Sequence, residues 1–96
     1  MGLERGYKLH NSTNDNIKLY VTWGVPLEVG EQMNPYAGIE EGLTISADDW
    51  GMVPTPEGAL FDLLVTDMND RIKVVKRSVA PGDPTILFFN GETIHE

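Results

Sequence analysis

The chain has 96 residues, contains no cysteine and carries a formal net charge of −8. This length suits one domain, predicted to span residues 1–96, and the hydrophobic share of 41% is typical of a folded protein. The missing cysteine excludes disulfides, thiolate metal sites and cysteine catalysis. The negative balance disfavours direct nucleic-acid binding, which needs a basic surface. Since there is neither a signal peptide nor an apolar run long enough to span a membrane, we predict a cytoplasmic protein.

Strands are predicted where apolar and polar residues alternate. Tyr7 and Leu9 begin one such stretch, and the polar segment 11–16 after it predicts a turn. The clearest alternation comes next, with four side chains on one buried face: Ile17, Leu19, Val21 and Trp23. Two weak strands are predicted at 25–29 and 43–46. Two loops rich in Gly and Pro are predicted at 30–42 and 47–58.

A hairpin is predicted over 59–77. Two alternating stretches flank a polar turn at 67–70, and together they supply one apolar face: Phe61, Leu63, Val65, Ile72 and Val74. The register that this face implies places Thr66 opposite Arg71 and Asp62 diagonal to Lys73. The alternation slips at 75–76, which predicts a bulge or a strand end.

A helix over 56–70 is the alternative, because apolar residues recur there at every fourth position: Leu60, Leu64, Met68 and Ile72. Thr55-Pro56 would start such a helix. Gly58 in its first turn and the β-branched pair Val65 and Thr66 in its middle favour the strand.

The C-terminal segment carries the strongest hairpin signal, because Asn90-Gly91 is a preferred type I′ turn pair. The strands around it, 85–89 and 92–95, place Leu87, Phe89 and Ile94 on one face and Ile86, Phe88 and His95 on the other. A strand that is apolar on both faces is central, covered by its own loops, or an edge for a partner or a homodimer. All the strands together predict an all-β fold, a single small antiparallel β-sandwich or partly open barrel of about six to eight strands.

Charge is distributed unevenly along the chain. No Lys or Arg occurs between Lys18 and Arg71, although ten Asp and Glu lie there. Three of these acids, at 62, 67 and 70, are predicted to be balanced locally by Arg71 and Lys73. The uncompensated acids run from Glu28 to Glu57. A surface of one sign steers association with a partner of the opposite sign, so a basic protein surface is the predicted partner.

Two aromatic-bearing loops lie within this acidic stretch, one around Tyr36 and one over 48–54. Interface hot spots favour Trp and Tyr. The predicted partner-binding residues are Glu28, Glu31, Tyr36, Glu40, Glu41, Asp48, Asp49, Trp50 and Glu57. The alternative is that Trp50 and Tyr36 fold back to fill the ends of the sandwich.

Catalytic and metal-binding signals are weak. His10 and His95 are the only side chains suited to general-base work near neutral pH, and no Gly-x-Ser-x-Gly motif accompanies them. Asp48-Asp49 and Asp67-x-Asn69-Asp70 offer oxygen ligands for Ca²⁺, but the second lacks the glycine and glutamate of an EF-hand loop. We therefore predict a protein that is not an enzyme and needs no cofactor or metal.

Several short motifs in the first two thirds of the chain are similar to aegerolysin-type β-sandwiches: Leu9-His10-Asn11, Ile17-Lys18, Trp23-Gly24 and Gly58-x-x-Phe61-Asp62-Leu63. The resemblance implies binding to membrane lipids. The chain departs from that family by lacking its Trp-rich, Cys-containing segment and by being short, so it is not assigned to the family.

Two functions are predicted. The first is a non-enzymatic acidic module that docks on a positively charged partner, for example an anti-CRISPR-like phage or mobile-element inhibitor whose carboxylates mimic nucleic acid. The alternative is a β-sandwich that binds a carbohydrate or lipid headgroup through loop aromatics, with or without Ca²⁺.

Overall fold

The computed structural model describes residues 6–24, 26–33, 42–54, 60–80 and 85–96. The predicted site residues Tyr36, Glu40, Glu41 and Glu57 lie outside these ranges. Within them the chain forms eight strands: β1 (Gly6–Asn11), β2 (Ile17–Thr22), β3 (Leu43–Ile45), β4 (Trp50–Pro54), β5 (Phe61–Thr66), β6 (Ile72–Val79), β7 (Thr85–Phe89) and β8 (Ile94–His95).

The strands form two four-stranded sheets, which confirms the predicted all-β sandwich. The front sheet has the order β4-β1-β7-β8, and the back sheet has the order β3-β2-β5-β6. All pairs are antiparallel except β1 with β7, which is parallel. Since β5 is a strand from Phe61 to Thr66, the helical alternative is wrong for those residues. The described ranges contain no helix that could span a membrane.

The main core lies between the sheets. Alternate residues of each strand point inward, as the pleat requires, and Leu9, Leu63, Val65, Leu87 and Phe89 are almost completely buried there. The sheets approach most closely near β4, where Ile45 of the back sheet packs against the backbone of Gly51. A Cβ atom at Gly51 would lie 2.6 Å from the Ile45 Cδ1 atom, so this position has no room for a side chain.

The predicted turn at 11–16 is an arch that crosses from the front sheet to the back sheet, so β1 and β2 are not paired with each other. Buried Asn11 holds this arch. Its Nδ2 donates to the carbonyl oxygens of Asp15, Ile45 and Ser46 at 2.7–3.2 Å, and its Oδ1 accepts from the N–H and hydroxyl of Thr13. This single side chain ties the ends of β1, β2 and β3 together.

The β5–β6 hairpin has the predicted strands but a different register. Thr66 lies opposite Ile72 rather than Arg71, and Leu64 lies opposite Val75. Bulges shift the pairing at both ends. One of them lies between Lys76 and Val79, directly after the predicted position 75–76, whereas the alternative of a strand end there is wrong because β6 continues to Val79. Ile72 and Val74 consequently pack in different clusters instead of sharing one apolar face.

The outer surface of the back sheet, called the back face here, is covered by residues 26–33. The strand predicted at 25–29 is wrong for its described part, 26–29, which lies beside β6 and enters a turn at 28–31. Leu27 and Met33 from this segment bury Leu64 and Ile72 in a second apolar cluster. Backbone bonds from Gly30 and Met33 to the carbonyls of Ile72 and Asp70 hold the segment in place.

Two smaller predictions near strand ends also fail. The prediction that Trp23 lies on the buried face is wrong, because Trp23 comes after the end of β2 and is 55% exposed. In the last hairpin, Phe89 pairs with Ile94 and the Asn90 N–H donates to the Thr93 carbonyl, so Gly91 and Glu92 form the tip instead of Asn90 and Gly91. The two predicted faces of the hairpin are nevertheless correct, with Leu87, Phe89 and Ile94 in the core.

Candidate protein-interaction face

The outer surface of the front sheet, called the front face here, carries large apolar side chains that no described segment buries. Its described members are Lys8 and His10 on β1, Trp50 and Met52 on β4, Ile86 and Phe88 on β7, and His95 on β8. Trp50 is 42% exposed, Met52 44% and Ile86 52%. Most isolated exposed apolar residues need no explanation, but these are contiguous.

Trp50 and Met52 belong to a strand, and the prediction that they lie in a loop is wrong. His10 lies opposite Trp50, and Lys8 lies opposite Met52, in the antiparallel β1–β4 pair. Gly51 between them turns inward, so both side chains point outward. The alternative in which Trp50 folds back to fill an end of the sandwich is also wrong, because Trp50 stands on the open side of the sheet.

Aromatic rings form the centre of the front face. The His10 ring lies 4.6 Å from the Trp50 ring and 6.0 Å from the Phe88 ring, and the Trp50 and Phe88 centroids are 5.8 Å apart. His95 extends the cluster from the other side of Phe88. The Lys8 ammonium lies 4.9 Å from the centroid of the Trp50 ring, a cation–π contact. The three central rings are tilted by 54–65° to one another, so they do not form one flat platform.

His10 also contacts two polar side chains near the C-terminal end of β1. Its Nε2 atom lies 3.1 Å from the Asp48 carboxylate and its Nδ1 atom 2.7 Å from the Ser12 hydroxyl. A Ser–His–Asp chain of this kind invites comparison with a hydrolase triad. The amides beside Ser12 are already used, since Ser12 N–H donates to Phe89 and Thr13 N–H donates to Asn11. They cannot stabilise an oxyanion, and the Asp48 side chain is 89% exposed.

Two carboxylates lie at one corner of the front face. Asp48 and Asp49 directly precede Trp50, and the Asp49 carboxylate accepts a hydrogen bond from the Trp50 N–H at 2.8 Å. Asp48 has a positive φ of 56°, a conformation that Asp tolerates better than most residues.

The described members of the predicted acidic site do not form one patch. Asp48, Asp49 and Trp50 lie together beside the β3–β4 edge of the sandwich. Glu28 and Glu31 lie on the segment that covers the back face next to β6, which is the opposite edge of the back sheet. Glu31 turns its carboxylate back to the Glu28 N–H.

The acids of the β5–β6 hairpin are occupied, but by other partners than the sequence predicted. Asp70 contacts Lys18 and the Tyr20 hydroxyl, both at 3.2 Å. Asp67 caps its own turn by accepting from the N–H groups of Asn69 and Arg71, which lower its pKa together with the charges of Lys73 and Arg71, against the effect of burial. The charge balance predicted from Arg71 and Lys73 therefore holds in part for Asp67 alone.

Asp62 is the most deeply buried acid of this group. It pairs with Arg77 at 3.0 Å rather than with Lys73, and it accepts from the N–H groups of Gly24 and Ser78. Burial raises the pKa of Asp62, but these two amides and the Arg77 guanidinium outweigh burial and hold its pKa below the usual range. Arg77 also donates to the Leu27 carbonyl, so Asp62 anchors the segment over the back face.

The loop end of the sandwich holds a hollow of about 590 Å³ between the arch and the turns at 67–70 and 90–93. Its walls include the acids Asp15 and Asp67 and the amides of Asn14 and Asn16. Among the described residues, no three His, Asp or Glu side chains converge as metal ligands.

Sequence reasoning missed Met52, Ile86 and Phe88 as members of a candidate site. The signal for two of them was present, because the alternation of their strand predicts Ile86 and Phe88 on its second apolar face. The sequence did not show which strands lie beside β7. Because β7 lies between β1 and β8, Phe88 and Phe89 pair on both sides and do not form a free edge for a partner.

Comparison with protein-family models, curated proteins and solved structures returned no match for this chain. The described residues of the motifs that suggested a resemblance to aegerolysins have structural roles in this sandwich. Leu9, Phe61 and Leu63 fill the core, Asn11 holds the arch, and Asp62 forms the buried ion pair.

Proposed function

We propose that this protein is a non-enzymatic interaction module that docks on a positively charged protein surface. The observation that carries the proposal is the position of exposed Trp50, which stands on an open apolar sheet face directly beside Asp48 and Asp49. Protein interfaces combine a desolvated aromatic anchor with a polar rim. A rim of carboxylates selects a partner that carries Lys or Arg around its own apolar centre.

Other ligand classes fit the front face less well. Nucleic acid would bring phosphates against the flanking carboxylates in a chain of net charge −8. A sugar ring would need an open, flat aromatic surface, whereas Trp50 is contacted by Lys8 and its neighbouring rings are tilted. The carbohydrate or lipid-headgroup alternative is therefore the weaker proposal.

A narrower form of the proposal is an inhibitor, encoded by a phage or mobile element, that occupies a basic nucleic-acid channel. In such an inhibitor, carboxylates replace phosphates along one surface. Asp48 and Asp49 at the corner of the front face would serve this role, whereas Glu28 and Glu31 at the opposite edge would not take part.

A fluorescent peptide of alternating Leu and Lys tests the proposal by anisotropy at low and high salt. We expect binding to the native protein at low salt and about tenfold weaker binding for the Asp48→Asn/Asp49→Asn variant, because two rim charges are removed. At position 48, Asn tolerates the positive φ. At position 49, the side-chain oxygen of Asn can still accept the hydrogen bond from the Trp50 N–H.

The matched control removes the same number of charges at the other edge. Glu28→Gln/Glu31→Gln should bind the peptide nearly as well as the native protein. Equal losses for both variants would mean that only net charge matters, and binding that does not weaken as salt rises would contradict docking through the acidic rim.

A further inference from the structure

We infer that the whole front face, and not only its Asp48–Trp50 corner, is the contact surface, and that its occupant is a short protein segment with apolar side chains in its centre and Lys or Arg at its edges. The inference rests on the proposed function and specifies its surface and its partner. Met52, Ile86 and Phe88 become contact residues, none of which the charge pattern of the sequence singled out.

The centre of the front face spans three strands, with apolar side chains on the two outer strands and polar side chains on the middle strand. Lys8 lies between Met52 on β4 and Ile86 on β7, and His10 lies between Trp50 and Phe88 on the same strands. Two rows of outward side chains therefore run across the sheet. A partner that touched only Trp50 would leave Met52 and Ile86 in water, whereas a segment lying across the strands would bury both rows.

The back face shows what kind of segment fits a sheet of this sandwich. Residues 26–33 run beside β6 as a short strip with a turn at 28–31, and two apolar side chains, Leu27 and Met33, suffice to bury Leu64 and Ile72. Guanidinium groups fasten the strip, since Arg77 and Arg71 donate to the carbonyls of Leu27 and Gly30. The front face presents a similar apolar surface without such a strip in the described ranges.

Charge decides between a foreign segment and a second copy of the chain. The described side chains on the front face include one lysine and no acid, and the carboxylates of Asp48 and Asp49 lie at its corner beside His10 and Trp50. Two copies meeting face to face would bring these acidic rims together, and each copy has a net charge of −8. Like charges at an interface oppose association, whereas Lys or Arg at the edges of a partner segment would pair with the same rim.

Substitutions far from the acidic corner test the inference. Ile86→Ser and Met52→Ser should each weaken binding of the Leu–Lys peptide about fivefold or more, because each removes apolar contact from the centre of the surface. Exposed apolar residues outside the front face provide matched controls: Val29 is 62% exposed and Leu60 is 59% exposed. Val29→Ser and Leu60→Ser should leave peptide affinity unchanged.

The controls separate the two proposals. Loss of binding in Asp48→Asn/Asp49→Asn, with no loss in Ile86→Ser or Met52→Ser, would overturn the inference and leave the proposed function standing. Failure of the native protein to bind the Leu–Lys peptide at low salt would overturn both. A peptide of alternating Ser and Lys that binds equally well would also overturn the inference, since apolar contact would then contribute nothing.

Light scattering across a range of protein concentrations addresses the second copy. We expect a monomer. A dimer that Ile86→Ser dissociates would assign the front face to self-association and would overturn the foreign segment as its occupant.

Discussion

Leu64 and Ile72 point outward from the back sheet and are almost completely buried, whereas Ile86 and Trp50 point outward from the front sheet and are largely exposed. Both sheets thus carry apolar residues on their outer surfaces, and the described chain covers only one of them. The difference lies in the path of the chain between strands. After β2 the chain returns along β6 as the strip 26–33, and no described segment returns along the front face. The apolar outer surface of the back sheet serves internal packing, and we propose that the apolar outer surface of the front sheet serves contact with another molecule.

Removing the anchor of the covered side should have the largest effect. Asp62→Ala leaves Arg77 and the N–H groups of Gly24 and Ser78 without their buried acceptor, so we expect a loss of about 4 kcal/mol in the free energy of unfolding. Urea denaturation measures this loss. Exposed Asp15→Ala should cost under about 0.5 kcal/mol. A similar small cost for Asp62→Ala would contradict the role of Asp62 as the anchor of the back face.

Truncating one apolar side chain on each outer surface compares the two directly. Leu27→Ala opens a cavity between the strip and the back sheet and should cost about 3 kcal/mol. Ile86→Ala removes a side chain that is already half in water and should cost about 0.5 kcal/mol or less. Both values come from the same urea titrations. If the two substitutions cost the same, the front face is covered in solution and is not available to a partner.

The smallest expected effect is the change in stability with pH that Asp62, beneath the covered back face, contributes. The pKa of Asp62 is lower in the folded protein than its ordinary value, which is about 3.9 in an unfolded chain. The resulting stabilisation is present above that value and is lost as pH falls through the folded pKa, because the unfolded chain binds the proton first. Thermal unfolding between neutral pH and pH 3 should show this loss.

The matched variants for this pH dependence are Asp62→Asn and Asp67→Asn. Each should flatten the acid loss in part, since the pKa of Asp67 is also lowered in the fold. An acid profile that neither substitution changes would assign the loss to other carboxylates.

Alternation in the sequence predicted the strands well where both faces of a strand have distinct partners. The patterns at 17–22, 61–66 and 85–89 correspond to β2, β5 and β7. Register was not predictable, because it is shifted by two bulges, and the bulge beside Asp62 accompanies hydrogen bonds to Ser78 and Arg77, residues about fifteen positions away along the chain.

The candidate site was predictable only in part. The acidic surroundings of Trp50 single it out, but its strand was not predictable, because Gly51 and Pro54 weaken the strand pattern and pairing with β1 is non-local. The position of an acid along the chain also did not predict on which edge of the sandwich it lies. The turn at 67–70 brings Asp70 to Lys18, and Glu28 lies beside β6 rather than the aromatic loop, so one acidic stretch of sequence is divided between two edges of the sandwich.

The parallel pairing of β1 with β7 has a consequence for the order of folding. All strands of the back sheet lie between residues 17 and 79, so that sheet can assemble without β7 or β8. The front sheet needs residues 6–11 and 85–89 side by side, which are far apart along the chain, and such non-local pairing is slow. We expect a folding intermediate in which the inner side of the back sheet is exposed, and aggregation would start from that intermediate.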